Sequence, residues 1–429
     1  MKSENNMGPN FEDASEFVKG AYGPHADFNS PEKTLTPAAW HRPRKQWVRE
    51  EQWLSSISNL IDADHTAEKG VLQYMTLPGQ DMLDVRMVGA LCKQKEYRLK
   101  MLGFDETSTN NLLTDDGASA ALGPLAINGL VTRDSYIYPD KFQSLANPKS
   151  MGSQKLLQVG TQDVINLDFC NSLAAYQQQP NDPTNYNAIH QLFEFQRCNR
   201  TKPFLVFLTT RADAKAVDSE AFSKLNALLV KNCGNVQFDN AMRIAFEIGK
   251  HQVISYKEQG KKPPTAKYSR IFLVGLSKWL IGLLLKGSPK WKIELVNACE
   301  YSVYANQGRE MLSLCYRCEM IKVPSADGAR LSNIVSATST EPSEVELAIN
   351  IVQKAAQMFD LDEHILKSDL YPQLAGRAAD VMEQAGYKKD EYLEWCFDQK
   401  EHPLLTIPPR NQGTSAAAGV EVTPVSEAS

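Results

Sequence analysis

The longest apolar run in this chain, Ile271 to Leu285, lies inside its most basic segment. Its fifteen residues include Gly275, Lys278 and Gly282. A bilayer takes about twenty apolar residues, so the run predicts a buried helix and no membrane insertion. From Lys250 to Lys292 there are ten Lys/Arg residues and one acid, Glu258, giving about +9 in a chain whose formal charge is −5. Tyr256, Tyr268, Phe272, Trp279 and Trp291 alternate with those cations. Cations interleaved with aromatic rings suit a polyanion with stackable bases, meaning single-stranded nucleic acid. A solvated basic helix face with core aromatics behind it gives the same pattern.

A chain of 429 residues is long enough for two or three domains, and 42% hydrophobic with 23% charged residues is ordinary for a globular protein. The acidic balance excludes a protein that coats nucleic acid with its whole surface but allows a confined basic groove. Met1 to Asn6 lacks the apolar core of a secretory leader, and eight cysteines are scattered without pairing order. Both features predict free thiols in a reducing compartment.

Four regions follow from composition. Residues 1–40, rich in Asn, Pro, Gly and Ser, predict a flexible arm, with Phe11, Phe17, Tyr22 and Phe28 available to dock on a neighbour. Residues 41–215 predict a less regular lobe. It begins with a second basic-aromatic patch, Trp40 to Trp47, and a helix carrying Trp47, Leu54, Ile57 and Leu60. A further helix is predicted over about 80–102, and Val164 to Phe169 alternates as a half-buried strand. The run Phe204 to Leu208 reads equally as strand or helix start. Residues 216–400 predict a helical lobe, with helices near 217–233, 239–258, 271–285, 290–305, 308–322, 342–359, 372–385 and 389–399. From Glu341 to Glu401 fourteen acids face six bases. Residues 401–429 predict a disordered tail.

No motif declares a reaction. Cys315-Tyr316-Arg317-Cys318 has no second ligand pair, so two buried thiols are expected rather than a zinc site. The histidines are dispersed, and Asp115-Asp116 and Asp360 to Glu363 fit turn and capping roles. There is no Walker loop, GxGxxG, GxSxG or HExxH. No metal and no cofactor are therefore expected. Gly275 and Gly282 predict close helix packing. Lys278, midway along the apolar run, either snorkels to the surface or meets a phosphate.

These features predict a mainly α, two-lobed protein with its basic segment between the lobes and flexible arms at both ends. In layout the chain resembles nucleocapsid or coat proteins of RNA viruses across residues 40–400, with Lys250–Lys292 as the carrying segment. The resemblance implies a non-enzymatic, oligomeric RNA-packaging protein of the virion and host cytoplasm. It assigns RNA contacts to Lys257, Lys261, Lys262, Lys267, Tyr268, Arg270, Lys278, Lys286, Lys290 and Lys292, with Arg42, Arg44 and Lys45 beside them. Two other readings stay open. One is a nucleotide-handling enzyme with its strands in 103–210. The other is a scaffold whose basic face docks an acidic partner or the acidic segment 341–401 of a neighbouring copy.

Overall fold

A run of apolar residues that are buried on both sides reads alike as helix or strand, and this ambiguity is resolved here in favour of strands. The computed structural model describes residues 35–63, 70–106, 118–175, 182–258, 260, 262–303, 309–322 and 341–398. The elements below belong to a compact unit that begins at Ala38. Eight strands form one sheet: β1 Val71–Thr76, β2 Arg98–Phe104, β3 Tyr136–Tyr138, β4 Val164–Asp168, β5 Phe204–Arg211, β6 Trp291–Tyr301, β7 Met311–Met320 and β8 Phe359–Asp360. The spatial order is β3-β2-β1-β4-β5-β7-β6-β8. All neighbouring pairs are parallel except those that β7 makes with β5 and β6.

The expectation of a mainly helical, two-lobed protein is thereby corrected. The predicted helices at 290–305 and 308–322 are β6 and β7, a long antiparallel pair. Trp291, Ile293 and Leu295 are buried while Lys292, Glu294 and Val296 are not, a period of two that fits a strand and not a helix. The predicted helix over 80–102 ends at Gln94, and Leu99 and Leu102 belong to β2. Strands from both expected lobes share this single sheet. A nucleocapsid layout, with helical lobes around a cleft, does not survive that topology, and the virion assignment goes with it. The helices near 217–233, 342–359, 372–385 and 389–399 are present as Ser219–Asn232, Glu344–Ala356, Tyr371–Gln384 and Lys389–Phe397.

Parallel strands need crossovers, and these place helices on both faces. One face carries α3 Leu83–Gln94, α4 Ala118–Ile127 and an N-terminal rod. The rod runs through α1 Pro43–Trp47, a π-helical stretch Val48–Leu54 and α2 Ser55–Ala63 without leaving helical backbone. Trp53 of the rod stacks on Phe207 of β5 with ring centroids 5.9 Å apart. The opposite face carries α5 Met151–Val159, α6 Asn185–Asn199, α7 Ser219–Asn232, α8 Val236–Phe246, α9 Lys250–Glu258, α10 Thr265–Leu285 and α11 Glu344–Ala356. The apolar run of α10 is largely buried there, although the longer stretch Lys267–Leu285 is by length and composition enough to cross a bilayer. Gly275 allows its close approach to α7, because a Cβ there would meet Leu225 Cβ at 2.9 Å. Gly282 faces open space, so close packing does not explain it.

The C-terminal helices α12 Leu361–Lys367, α13 Tyr371–Gln384 and α14 Lys389–Phe397 form a cap over the rod. The rod is thus buried between sheet and cap. Trp53 is 1% exposed, and removing so large a side chain from a close-packed interior leaves a cavity. Trp53→Ala is predicted to cost about 3–5 kcal/mol in urea unfolding. A loss below about 1 kcal/mol would mean that the rod is a dispensable surface element.

Candidate functional site

In an open doubly wound sheet, ligands bind outside the carboxyl ends of the strands where the strand order reverses. That point lies between β1 and β4. Alternation along the strands sets which side chains reach the rod there. Tyr74 and Thr76 of β1, Asn166 and Asp168 of β4, and Thr209 of β5 share the rod's face. Asp84, in the first turn of α3, accepts hydrogen bonds from Tyr74 Oη and Thr76 Oγ1, each at 2.8 Å. Asn166 Nδ2 donates to Tyr74 Oη at 2.8 Å. Burial, then the charge of Asp84, pushes the Tyr74 phenol well above its usual range and keeps it a neutral donor.

The rod supplies the cations. Lys45 Nζ pairs with Asp168 Oδ1 at 2.7 Å and lies 4.7 Å from the centre of the Trp53 ring. Burial lowers the Lys45 pKa, and Asp168 opposes the shift. The Asp168 carboxylate keeps 29% of its side chain exposed and so opens toward the carboxyl edge. Arg49, one turn further along, is 7% exposed. Burial lowers its pKa too, with Asp168 and Asp84 as the main opposing charges. Gln52 closes the row by donating to Ser313 O at 3.2 Å.

The loop after β1, Leu77 to Met82, is held from above. His41 Nε2 lies 3.0 Å from Asp81 Oδ2, and Tyr387 Oη donates to the same carboxylate at 3.2 Å. Tyr392 Oη donates to His41 O at 2.5 Å. Arg42 lies 3.6 Å above the Trp395 ring, and Arg44 Nη1 pairs with Asp362 at 3.2 Å. Asp105 follows β2 directly, beside that loop, and Gly103 lies against Pro78, where a Cβ would approach to 3.0 Å.

The residues assigned to RNA are dispersed. Arg42, Arg44 and Lys45 are together but buried under the cap. Lys267 pairs with Glu247 at 2.7 Å, Arg270 lies 3.6 Å from Glu300, and Lys262 donates to Ala214 O at 2.8 Å. Lys290 pairs with Glu341 at 2.5 Å, and Lys292 with Glu294 and Glu319 at 2.7 and 3.1 Å. Lys278 neither snorkels nor lines a groove; it pairs with Glu344 at the start of α11. Tyr268 is 3% exposed and stacks on Phe222 with centroids 4.5 Å apart. Lys257 and Lys286 are exposed. Lys261, Asp115, Asp116, the arm over 1–34 and the tail beyond 398 lie outside the described residues. Cys315 and Cys318 are buried thiols three apart on β7, hence on opposite faces of the sheet.

Arg49, Asp84, Asp105, Asn166 and Asp168 were not singled out by sequence reasoning. One signal was present: Asn166 and Asp168 are the polar residues of an otherwise apolar strand, on one face and at its carboxyl end.

Together the topology and this polar layer define a doubly wound α/β protein with a buried polar cluster at its switch point. The chain belongs to the PP_RS20740-like family, whose profile matches residues 35–397. No curated relative matches it in sequence. Among solved structures it is similar to an rRNA methylase from Streptococcus thermophilus at 8% identity and a TM-score of 0.29, over 67% of this chain and 100% of that one. A protein assigned as an rRNA methylase from Clostridium thermocellum matches at 10% identity and TM-score 0.28, over 62% and 97%. A protein assigned as a class I S-adenosylmethionine-dependent methyltransferase from Listeria monocytogenes matches at 11% and 0.31, over 74% and 69%. Likeness of this size carries no argument by itself, whereas the strand order does. The layout of a packaging protein with two helical lobes is corrected on that order, since one eight-stranded mixed sheet takes the place of the lobes.

The Lys278–Glu344 pair gives an asymmetric test. Burial lowers the Lys278 pKa, with Glu344 opposing, while Glu344 is 34% exposed and also accepts from Asn232. Glu344→Ala strands a buried ammonium and is predicted to cost about 3–5 kcal/mol, whereas Lys278→Met should stay within about 1 kcal/mol. The folded state then releases its proton before the unfolded chain does. Stability of Glu344→Ala should therefore rise with pH up to the free-lysine range of about 10.4. Equal losses for the two variants, or a falling pH profile in urea melts, would contradict this.

Proposed function

We propose that the chain is an enzyme of the class I methyltransferase architecture that binds S-adenosylmethionine at the β1/β4 switch point. The observation that carries this reading is the strand order 3-2-1-4-5-7-6, with β7 alone antiparallel and inserted between β5 and β6. Class I methyltransferase sheets carry such an inserted antiparallel strand, and relative to the 3-2-1-4-5-6 order of dinucleotide folds this sheet adds that strand and the short edge strand β8.

The residues at the switch point fit such a cofactor. An acid at the end of the second strand suits ribose hydroxyls, and Asp105 stands there. The bare Cα of Gly103 lets the β1 loop fold close to β2, where a nucleoside would lie. Asn166 Oδ1 is buried without a partner among the described residues and can accept a hydrogen bond from a ligand amine. The chain departs from nucleotide-binding loops in one respect: Leu77 to Met82 holds a single glycine, Gly79, and no glycine-rich run. When bound, the cofactor supplies a methyl group on a sulfonium, which a nucleophile can take directly. Asp168, fixed by Lys45 yet open to the edge, can accept a hydrogen bond from an acceptor N–H or O–H and orient its lone pair.

The test is calorimetric titration of the intact chain with S-adenosylhomocysteine. One site per chain is expected, with stabilisation of about 2.7 kcal/mol at a hundredfold excess over Kd. Asp105→Ala should weaken binding about tenfold through the lost ribose hydrogen bonds. Absence of binding at millimolar ligand would overturn the cofactor assignment.

A further inference from the structure

Arg49 is the unresolved charge in the polar layer. It is 7% exposed, its Nε is sealed without a partner, and its guanidinium makes no hydrogen bond or ion pair with any described residue. The other cations of that layer each have a charge or ring partner, Lys45 in Asp168, Arg44 in Asp362, and Arg42 in the Trp395 ring and carbonyl, although Arg44 Nε and Nη2 are also buried without a hydrogen bond among the described residues. A guanidinium carries five donors in a planar fork, and burying it without acceptors is costly. The two carboxylates nearest in charge are already engaged, Asp168 by Lys45 and Asp84 by Tyr74 and Thr76. Arg49 also stands in the π-helical turn Val48–Leu54 of the rod. Such turns are rare and collect at functional sites, because the extra residue re-aims a side chain. Asn166 Oδ1, on the strand facing the rod, is one of several further buried polar atoms without a partner among the described residues, Gln46 Oε1 and Trp53 Nε1 of the rod included.

We infer that Arg49 is the receptor for an oxyanion, a carboxylate or phosphate, of the small molecule bound at the switch point. The fork would take both oxygens of that group, a geometry in which arginine exceeds lysine. On the cofactor reading the oxyanion is the carboxylate of its amino-acid end, with Asn166 Oδ1 toward the adjoining ammonium. This assignment rests on that reading for the identity of the ligand but not for the oxyanion.

The experiment uses the intact chain, wild type and Arg49→Met, in calorimetry with S-adenosylhomocysteine and with methylthioadenosine, which shares the nucleoside thioether but has no carboxylate. Arg49→Met should weaken the first ligand about tenfold or more and leave the second unchanged. Arg49→Lys should restore part of the loss. In thermal melts without ligand, Arg49→Met should melt at or above the wild-type temperature, since an unpaired buried charge is replaced by an apolar chain of similar size. A variant that melts lower and loses both ligands equally would make Arg49 structural and overturn the inference, as would unchanged affinity for the carboxylate ligand. If neither nucleoside binds the wild type, the cofactor reading fails alone, and inorganic phosphate decides the rest. A phosphate-dependent rise in melting temperature in wild type but not in Arg49→Met would keep the receptor. A rise in both, or in neither, would remove it.

Discussion

The structure depends on one constraint: a cationic helix is buried on both sides. The rod from Pro43 to Ala63 lies between the sheet and the C-terminal cap, and Arg42, Arg44, Lys45 and Arg49 are each less than a tenth exposed. An isolated buried charge is far too costly to persist without compensation. Partners must therefore be placed around the rod, and they come from distant parts of the chain. Asp168 arrives on β4, Asp362 at the start of α12, and Trp395 on α14. The cap is fixed by the same contacts, with Tyr392 and Tyr387 reaching back to His41 and Asp81.

The antiparallel β7 has a second consequence. Its pairing with β6 reaches the carboxyl edge and brings Glu300, Glu310 and Arg309 beside Asp360 and Asp362. Arg309 meets both Glu300 and Asp360 at 2.8 Å, while Arg270 approaches Glu300 from α10. Burial raises the Asp360 carboxyl despite Arg309, which marks how dry this cluster is. Here the basic block and the acidic C-terminal segment meet within one chain, through Lys278–Glu344 and Lys290–Glu341 as well. Several cations of the basic block are thus paired within the chain, two of them by acids of the C-terminal segment.

Against that background Arg49 is the exception in charge, since each neighbouring cation has an ion-pair or ring partner and Arg49 has none among the described residues. Natural folds carry such local deficits at ligand sites, where the bound group completes the network and stability is traded for affinity. The π turn that displays Arg49 and the unpartnered Asn166 Oδ1 lie on the two sides of the same layer. Polar bonding is thus incomplete at the switch point that the strand order defines, as it is at buried atoms elsewhere in the fold.

The sequence alone determined the buried character of Ile271–Leu285, the amphipathic helices of the C-terminal part, the strand at Val164–Asp168 and the opposition of basic and acidic segments. These follow from local periodicity and charge counts, which need no knowledge of neighbours. Tertiary structure decided the rest. β5 and β7 are buried on both faces, and such strands lose the alternation by which a strand announces itself. β6 kept its alternation through Trp291, Ile293 and Leu295, yet its cations drew it into a basic helical reading. Which cations would be free was not legible either. Lys267, Lys278, Lys290 and Lys292 are matched by acids that lie from two to more than sixty residues away in sequence, whereas Arg49 is matched by none. Pairing of that kind depends on which strands adjoin, and only the order of the sheet fixes it.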